Sequence, residues 1–483
     1  MVEVAFALLF IAAILAFRNW RQGFALCVLT GLLQDPFRKL VAGQPVYFVV
    51  FVGVVFGAAW LGALASRVSL NPGQMIGWRQ HVGLPFTLFL VVIGLQAVHS
   101  FAQYGNPAMT GIGLMSYLAP IPAIALAYRF ALFRGDAGLR RWMKVYVVLA
   151  TIALSTVYLE FSGYSWPMLG EVGGGVMISG AGAYYKGNAG IFRAAEIAAW
   201  HAATVACFAF MLFWGRRFSP PKFLVAMAFI VFLLGIGALT GRRKMIIEIA
   251  IFLSAYFFLI VWFRRGNAKL ALLTALLGIV GYTVAVGSIR PDSGDESYAS
   301  ERVEGTTDNS FGKYSERAAT VFEDAPRRAL EMGIQPVSWA VAAHGWLGAG
   351  LGVGSQGAAH FGGVSEGVAE GGLGKLTLEL GVPGLIVAAW LLFAFSRYVW
   401  HVLQLLANTS PAHANLGYGF VSFMLANMAA FTVATQAYGD LFILLSLGWS
   451  FGFLIALPGL AARQQAERSA QLVTAPAGPP VRY

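Results

Sequence analysis

Residues 440–462 read DLFILLSLGWSFGFLIALPGLAA, and the carboxylate of Asp440 is the only charge in them. A helix of this length crosses the hydrocarbon core of a bilayer, which is about 30 Å thick. In lipid the backbone polar groups must be satisfied within the segment itself, so a lone apolar run of this kind forms a helix and not an open strand. The stretch therefore predicts a membrane-spanning helix.

Apolar stretches of this kind recur along nearly the whole chain. A window of about 19 residues finds 12 or 13 of them. The candidate spans are residues 2–17, 23–33 (a short one), 46–65, 82–101, 108–133, 144–160, 191–214, 222–240, 244–263, 268–289, 376–396, 416–437 and 440–462. The predicted fold class is all-α: a polytopic integral membrane protein with one large periplasmic loop.

The composition excludes a soluble enzyme. Of 483 residues, 58% are hydrophobic and only 11% are charged, whereas about a quarter of the residues in a typical soluble protein are charged. The mean hydropathy is +0.69. The first apolar stretch has no basic segment before it and no small-residue cleavage site after it, which indicates a retained helix rather than a signal peptide. Cys27 and Cys207 both lie within apolar stretches, so the sequence predicts no disulfide and no Cys-x-x-Cys metal site.

Basic residues indicate which side of the membrane each loop faces, because short cytoplasmic loops collect lysine and arginine. On one consistent threading the cytoplasmic groups are Arg129, Arg134, Arg140, Arg141 and Lys144; Arg216, Arg217 and Lys222; Arg264, Arg265 and Lys269; and Arg463 and Arg468. The alternate loops, including 161–190, then face the periplasm. The predicted organisation is an N-terminal transmembrane bundle at 1–289, a periplasmic loop at 290–375, C-terminal transmembrane helices at 376–462 and a disordered cytoplasmic tail at 463–483.

The long periplasmic loop carries 12 of the 22 acidic residues of the chain. Within it, apolar residues at helical spacing predict an amphipathic helix at 311–332 that lies on the membrane face and could act as a lid. Residues 344–357 then read HGWLGAGLGVGSQG. Such glycine density permits close backbone approach and exposes amide donors that can cradle an anion or a sugar. Gly352 and Gly354 are therefore candidate substrate-binding residues, with simple packing as the alternative.

Several cations lie on the periplasmic side of this threading, where topology does not require them. They are Arg38, Lys39, Lys186, Arg193, Arg242, Arg243 and Lys244. Cations at an outer interface are costly and are usually retained because they bind something. Guanidinium forks match a diphosphate bidentately, so Arg193, Arg242 and Arg243 are candidate binders, with Lys186 and Lys244 as supporting contacts. The alternative is that Arg242, Arg243 and Lys244 only snorkel to the interface.

Glu370 lies where the long loop joins the next membrane helix, opposite this group of arginines in the threading. A carboxylate there can act as the general base for a hydroxyl nucleophile, with His344 and Lys375 as supporting contacts. The alternatives are a solvated Glu370 and a Glu379 that pairs with Lys375 four residues earlier.

This arrangement resembles the O-antigen ligase and polymerase superfamily of bacterial envelope polysaccharide assembly. Three pieces carry the resemblance: residues 190–201, with Arg193, Glu196 and Trp200-His201; residues 240–244, TGRRK; and Gly350 to Gly354 followed by residues 370–385. Together they lie within roughly residues 180–390. The resemblance implies about a dozen helices, a large periplasmic loop, and arginines that bind the diphosphate of a polyprenyl-linked sugar donor.

One departure from the family pattern favours a polymerase. Ligases carry a His-Asn pair nine residues before the glutamate of a Glu-x-Gly-x-x-Gly-Leu stretch, and Glu370 holds that position here. A carboxylate there is more similar to the polymerase or exopolysaccharide branch. The implied reaction occurs on the periplasmic face of the bacterial inner membrane: a hydroxyl of a glycan acceptor attacks the anomeric carbon of a polyprenyl-diphosphate-linked oligosaccharide, and the lipid diphosphate leaves. No metal or other cofactor is implied, and a chain-length regulator is a further partner that the sequence leaves open.

Two other functions stay open at this point. A ligase would place a finished glycan on a lipid or protein acceptor, and Glu370 in place of histidine is the feature against it. A polysaccharide-related transporter would also retain charges inside the membrane, but we find neither paired broken helices nor an internal repeat. Nucleic-acid binding is not expected, because the basic residues are spread over cytoplasmic loops and do not form one face of a soluble domain.

Overall fold

The computed structural model describes residues 2–71, 73, 75, 77–174, 177–180, 183–213, 220–242, 244–265, 269, 270, 272, 273, 276, 329–355 and 371–474. Most of these residues are helical. The α-helices are α1 (Val2–Arg18), α2 (Trp20–Lys39), α3 (Phe51–Ala65), α4 (Trp78–His81), α5 (Gly83–Tyr104), α6 (Pro107–Leu118), α7 (Pro120–Phe161), α8 (Ala195–Phe213), α9 (Pro220–Leu239), α10 (Lys244–Arg265), α11 (Gln335–His344), α12 (Gly372–Thr409), α13 (Pro411–Val433) and α14 (Leu441–Thr474). Short 3₁₀ turns lie at Val46–Val50, Val172–Gly174 and Ala437–Gly439, and a π-helical turn lies at Ala329–Ile334.

Eight helical stretches among the described residues are long and apolar enough to cross a bilayer. They are Val46–Ala65, Gly83–Tyr104, Pro107–Phe161, Ala195–Phe213, Met245–Arg264, Gly372–Thr409, Pro411–Val433 and Leu441–Glu467. The chain is therefore a multi-pass, all-α membrane protein, as the sequence predicts. The count of 12 or 13 spans stays a prediction, because α1 is shorter than these eight and most of residues 268–289 lie outside the described part.

The segment 440–462 enters the centre of the bundle as the first part of α14. Trp449 on this segment is fully buried, and its ring centre lies 5.7 Å from that of Trp142 on α7. Gly448 and Gly452 both face α7, and a Cβ at Gly448 would lie only 2.6 Å from the carbonyl oxygen of the first residue of that helix. Small residues four positions apart let two membrane helices approach closely. Close packing of α14 on α7 therefore forms the core of the bundle.

The bundle has two ends that differ in charge. At one end, which we call the basic end, Arg463 donates a hydrogen bond to the carbonyl of Leu132, Arg129 to that of Ser69, and Arg264 to the side chain of Asn415. This end also holds four arginines at or next to helix termini (Arg18, Arg21, Arg67 and Arg79), three near the Gly135 kink of α7 (Arg134, Arg140 and Arg141), and Arg397 within α12. At the opposite end, which we call the loop end, α2, α7, α9 and α13 finish and α8, α10, α12 and α14 begin. Cations and carboxylates are both present at the loop end.

Two segments predicted as non-helical are more helical than expected, because hydropathy alone does not end a helix. The gap predicted at 134–143 contains a kink at Gly135, whose backbone angles are not helical (φ 66°, ψ −171°) and which separates two helical parts of α7; the rest of the gap is helical. Arg140 pairs there with Asp136 at 3.0 Å, one turn apart, which supports a polar helical segment. The predicted disordered tail is also partly helical, because α14 continues to Thr474. Residues 475–483 lie outside the described part.

Two further boundaries differ from the prediction. The loop predicted at 161–190 contains a two-stranded antiparallel hairpin, β1 (Met177–Gly180) and β2 (Ala183–Lys186). Helix α12 begins at Gly372, so Lys375 belongs to its first turn and not to the loop before it. Of the amphipathic helix predicted at 311–332, residues 311–328 lie outside the described residues.

Candidate functional site

Arg193 lies in a turn, residues 187–194, that leads into α8 at the loop end. Carboxylates from two other helices hold the backbone of this turn. Glu160 of α7 accepts hydrogen bonds from two successive amides of the turn at 2.9 and 2.8 Å, and Asp35 of α2 accepts one from the amide of Arg193 at 3.0 Å. Because amides outside helices and strands still need acceptors, these carboxylates fix one backbone conformation around Arg193.

Lys39, at the end of α2, holds the same turn from the carbonyl side. Its Nζ donates to the carbonyl oxygens of Gly190 at 2.9 Å and Phe192 at 2.6 Å, and the residue is buried. Burial lowers the pKa of Lys39 to about 8, although Asp35 and Glu160 act in the opposite direction. Lys39 is thus a structural cation of the turn, and its charge carries a cost in the folded protein.

The lowered pKa of Lys39 predicts a pH effect on stability. Unfolding returns Lys39 to water and to its usual pKa of 10.5, so unfolding takes up a proton between about pH 8 and pH 10.5. The contribution of Lys39 to stability therefore rises with pH in that window. We expect the difference in unfolding temperature between the purified wild type and Lys39→Gln to change by a few degrees in favour of the wild type between pH 7.5 and pH 9.5. The control is Lys144→Gln, which changes an exposed lysine near the basic end. If the difference in unfolding temperature from wild type changed equally with pH for both variants, Lys39 would not be the cause of the effect.

The guanidinium of Arg193 lies between two buried carboxylates. Its Nη1 is 2.5 Å from Oδ2 of Asp440 and 3.7 Å from Oδ1 of Asp35, and both acids are 2% exposed. Burial acts to lower the pKa of Arg193, but Asp440 and Asp35 outweigh it and raise that pKa. Arg193 is therefore a fixed positive charge, and an anionic ligand would have to compete with two carboxylates for it.

Arg242 lies close by, in the turn between α9 and α10. Its Nη2 is 2.8 Å from Oε1 of Glu196 on the first turn of α8, and both side chains keep some exposure, 17% and 14%. Asn188 ties the two turns together, because its backbone amide and its side chain both donate to the carbonyl of Leu239 at the end of α9. Arg193 and Arg242, predicted separately from sequence, thus lie on two joined turns at the loop end.

Lys186, the last residue of β2, lies at the outer edge of the same region. Its Nζ is 3.7 Å from Oε1 of Glu160, and its side chain is 46% exposed. Glu160 therefore lies between the hairpin and the turn at 187–194. Three of the predicted substrate contacts, Lys186, Arg193 and Arg242, are brought to one end of the bundle.

The glycine series packs against helices at the same end. The amide of Ala349 donates to the carbonyl of Leu378 on α12 at 2.7 Å, and the hydroxyl of Ser100 on α5 donates to the carbonyl of Leu351 at 2.8 Å. A Cβ at Gly113 of α6 would lie 2.5 Å from the amide nitrogen of Gly352. These contacts use the close approach that glycine permits. The substrate-binding roles of Gly352 and Gly354 stay predictions.

Lys375 and Glu379 do not follow the predicted pairing. Glu379 instead accepts a hydrogen bond from the hydroxyl of Tyr117 at 2.6 Å and a longer one from Ser355 at 3.4 Å. Within the described part of the chain Lys375 makes no ion pair within 4.0 Å, and it is only 6% exposed. It lines a cavity of about 300 Å³ that is mostly apolar. The cavity wall consists of Ser116, Tyr117, Lys375, Leu376, Met424, Asn427, Met428, Phe431, Tyr438, Leu444 and Leu447.

The remaining predicted residues are not brought into this cluster by the described contacts. His344 ends α11, and its ring centre lies 5.9 Å from that of Trp339. Glu370 and Arg243 lie outside the described residues, as does the side chain of Lys244. Their roles stay predictions.

Sequence reasoning missed the acids that surround the cations. Three of them, Asp35, Asp440 and Glu248, are each 2% exposed, and the side chain of Glu160 is 9% exposed. The sequence did carry a signal for Glu160, Asp440 and Glu248, because an acid inside or at the edge of an apolar stretch is a candidate functional residue by default. Asp440 stands directly before the apolar run of α14, and Glu248 lies within that of α10.

Across the described ranges, no three His, Cys, Asp or Glu side chains come together so as to hold a metal ion; the expectation of a metal-independent site stays a prediction. Comparison with protein-family models and with curated proteins finds no match to this chain.

Proposed function

We propose that the chain is a polymerase-like glycosyltransferase that transfers polyprenyl-diphosphate-linked glycan to a sugar hydroxyl on the periplasmic face of the bacterial inner membrane. The observation that carries the proposal is the joining of Arg193 and Arg242 on two tied turns at the loop end, away from the basic end. Short cytoplasmic loops collect lysine and arginine, which supports a cytoplasmic basic end and a periplasmic loop end.

The charges of the site support a diphosphate ligand. Arg242 and Glu196 are partly exposed, so an anion can reach the guanidinium by replacing one carboxylate. Lys186 adds an exposed cation near the same turn. During transfer, negative charge develops on the leaving diphosphate, and fixed guanidinium groups stabilise the transition state in which that charge develops more than they stabilise the ground state. Glu370 is the sequence-based candidate for the base.

The resemblance to the polymerase branch supports the choice of reaction. Arg193 and Glu196 belong to one piece of the resemblance and Arg242 to another, and the Arg242–Glu196 ion pair joins the two pieces. A ligase and a polysaccharide-related transporter are the other functions that would use an anion site at this position.

The test is deletion of the gene in its bacterial host, with complementation. Polymerase function requires single repeat units to accumulate on polyprenyl diphosphate while long polymer disappears. Wild type and Arg264→Gln, which changes an exposed arginine at the basic end, should restore long polymer; Arg242→Gln should not, at equal protein levels. Long polymer stranded on the lipid carrier would instead indicate a ligase, and no change in either pool would indicate transport.

A further inference from the structure

A small cavity lies next to the Arg242–Glu196 ion pair, between α8, α10 and α13. Its lining residues are Glu196, Ala199, Trp200, Arg242, Met245, Glu248, Ala430, Ala434, Ala437 and Tyr438. The volume is about 20 Å³, which has room for one water-sized group but not for a sugar ring. Glu248 lies four residues into α10, about 6 Å along the helix axis from its start, and is 2% exposed.

Two polar atoms of this cavity have no hydrogen-bond partner among the residues that the structure describes. They are Oε1 of Glu248, an acceptor, and Nε of Arg242, a donor. The neighbouring polar groups are satisfied: Trp200 Nε1 donates to the side chain of Asn427 at 2.7 Å, and the hydroxyl of Tyr438 donates to the carbonyl of Asn427 at 2.8 Å.

An unpartnered donor and an unpartnered acceptor on residues that line one water-sized cavity favour a ligand that both accepts and donates a hydrogen bond. Buried polar groups without partners are rare and costly, and a carboxyl group inside a membrane helix is by default a functional candidate. A hydroxyl group both donates and accepts, so it satisfies Glu248 and Arg242 at once. Among the polar lining residues, Arg242 and Glu196 are partly exposed, so a sugar can remain outside while one of its hydroxyls enters.

We infer that this cavity is the subsite for the attacking hydroxyl and that Glu248 accepts its proton, an inference that rests on the proposed function. The hydroxyl oxygen forms a bond to the anomeric carbon of the donor, and the bond from that carbon to the diphosphate oxygen breaks. The electron pair of the broken bond leaves with the diphosphate, and the hydroxyl proton passes to Oε1 of Glu248. Nε of Arg242 orients the hydroxyl. Glu248 thereby takes the role that the sequence suggests for Glu370.

The test compares Glu248→Gln, Glu370→Gln and the control Glu467→Gln, an exposed acid near the basic end, in proteoliposomes supplied with a synthetic polyprenyl-diphosphate-linked oligosaccharide. Loss of a general base costs about 100-fold or more in kcat. We expect that loss in Glu248→Gln, with KM for the donor and the unfolding temperature close to wild type. Glu467→Gln should keep most of the wild-type kcat.

The contrary outcomes are distinct. A wild-type kcat in Glu248→Gln, or the large loss in Glu370→Gln alone, would overturn the assignment while leaving the proposed function in place. A loss of kcat that follows a fall in unfolding temperature, in both Glu248→Gln and Glu248→Asp, would make Glu248 a structural residue and also overturn it. If wild-type proteoliposomes neither bind nor polymerise the donor, the proposed function fails and the subsite falls with it.

Discussion

Replacing Arg193 with glutamine is expected to destabilise the protein by about 3–5 kcal/mol, the usual effect of removing one partner from a buried ion pair. The change leaves Asp35 and Asp440 buried at 2% exposure without the guanidinium between them. Lys39 remains near Asp35, but its ammonium already donates to two backbone carbonyls. The measurement is the thermal unfolding of the purified variant in detergent.

A triple variant separates this stability effect from ligand binding. Combining Arg193→Gln with Asp35→Asn and Asp440→Asn removes the uncompensated charges. It also keeps the acceptors that the backbone uses, because Asp35 accepts from the amide of Arg193 and Asp440 caps α14 by accepting from the amide of Ile443 at 3.0 Å; asparagine caps helices equally well. We expect the triple variant to recover most of the lost stability.

The activity of the triple variant then tests the role of Arg193 itself. If Arg193 binds the diphosphate, the restored protein stays inactive in the complementation assay. A stable and fully active triple variant would show that Arg193 serves only the fold. A single Arg193→Gln variant as stable as Arg264→Gln, the exposed control at the basic end, would contradict the buried ion-pair argument.

Hydropathy predicts most of the membrane helices because it is a local property. The candidate at 46–65 coincides with a span of the structure, and that at 440–462 begins within one residue of α14. The helical state of the polar residues after the Gly135 kink in α7 is not predictable in this way, since polar residues outside lipid neither require nor prevent a helix. The β1–β2 hairpin is also missed, because its residues carry no strong alternation of polar and apolar side chains.

From the sequence, only the cations of the site could be predicted. Arg193 and Arg242 are noticeable in the sequence because each is a cation where topology does not need one. Asp35 and Asp440 are almost the whole chain apart, and no sequence pattern states that both reach Arg193. Their meeting depends on how α2, α8 and α14 pack, which is a tertiary property. The sequence thus identifies the cations that need partners, whereas the packing of the helices determines which carboxylates they meet.

Gly352→Ala is expected to be strongly destabilising, while Gly345→Ala is a matched control with a milder effect. Both glycines have left-handed backbone angles, φ +87° at Gly352 and φ +73° at Gly345, and a Cβ in that region costs about 1–2 kcal/mol. At Gly345 a Cβ meets nothing within 4 Å, whereas at Gly352 it would overlap the carbonyl group of Met109 on α6. Backbone cannot move aside as a flexible side chain can, so overpacking adds about 1–3 kcal/mol more.

The comparison of the two variants decides between the two interpretations of the glycine series. If the series packs α6 against α12, Gly352→Ala lowers the unfolding temperature well below that of Gly345→Ala, and any loss of donor binding follows from the loss of folded protein. If the series cradles an anion, Gly352→Ala unfolds close to Gly345→Ala yet binds the polyprenyl-diphosphate donor more weakly. The carbonyl groups around residues 347 and 351 already accept hydrogen bonds from Gln96 and Ser100. Because the loop is held this closely by α5, we expect the packing result.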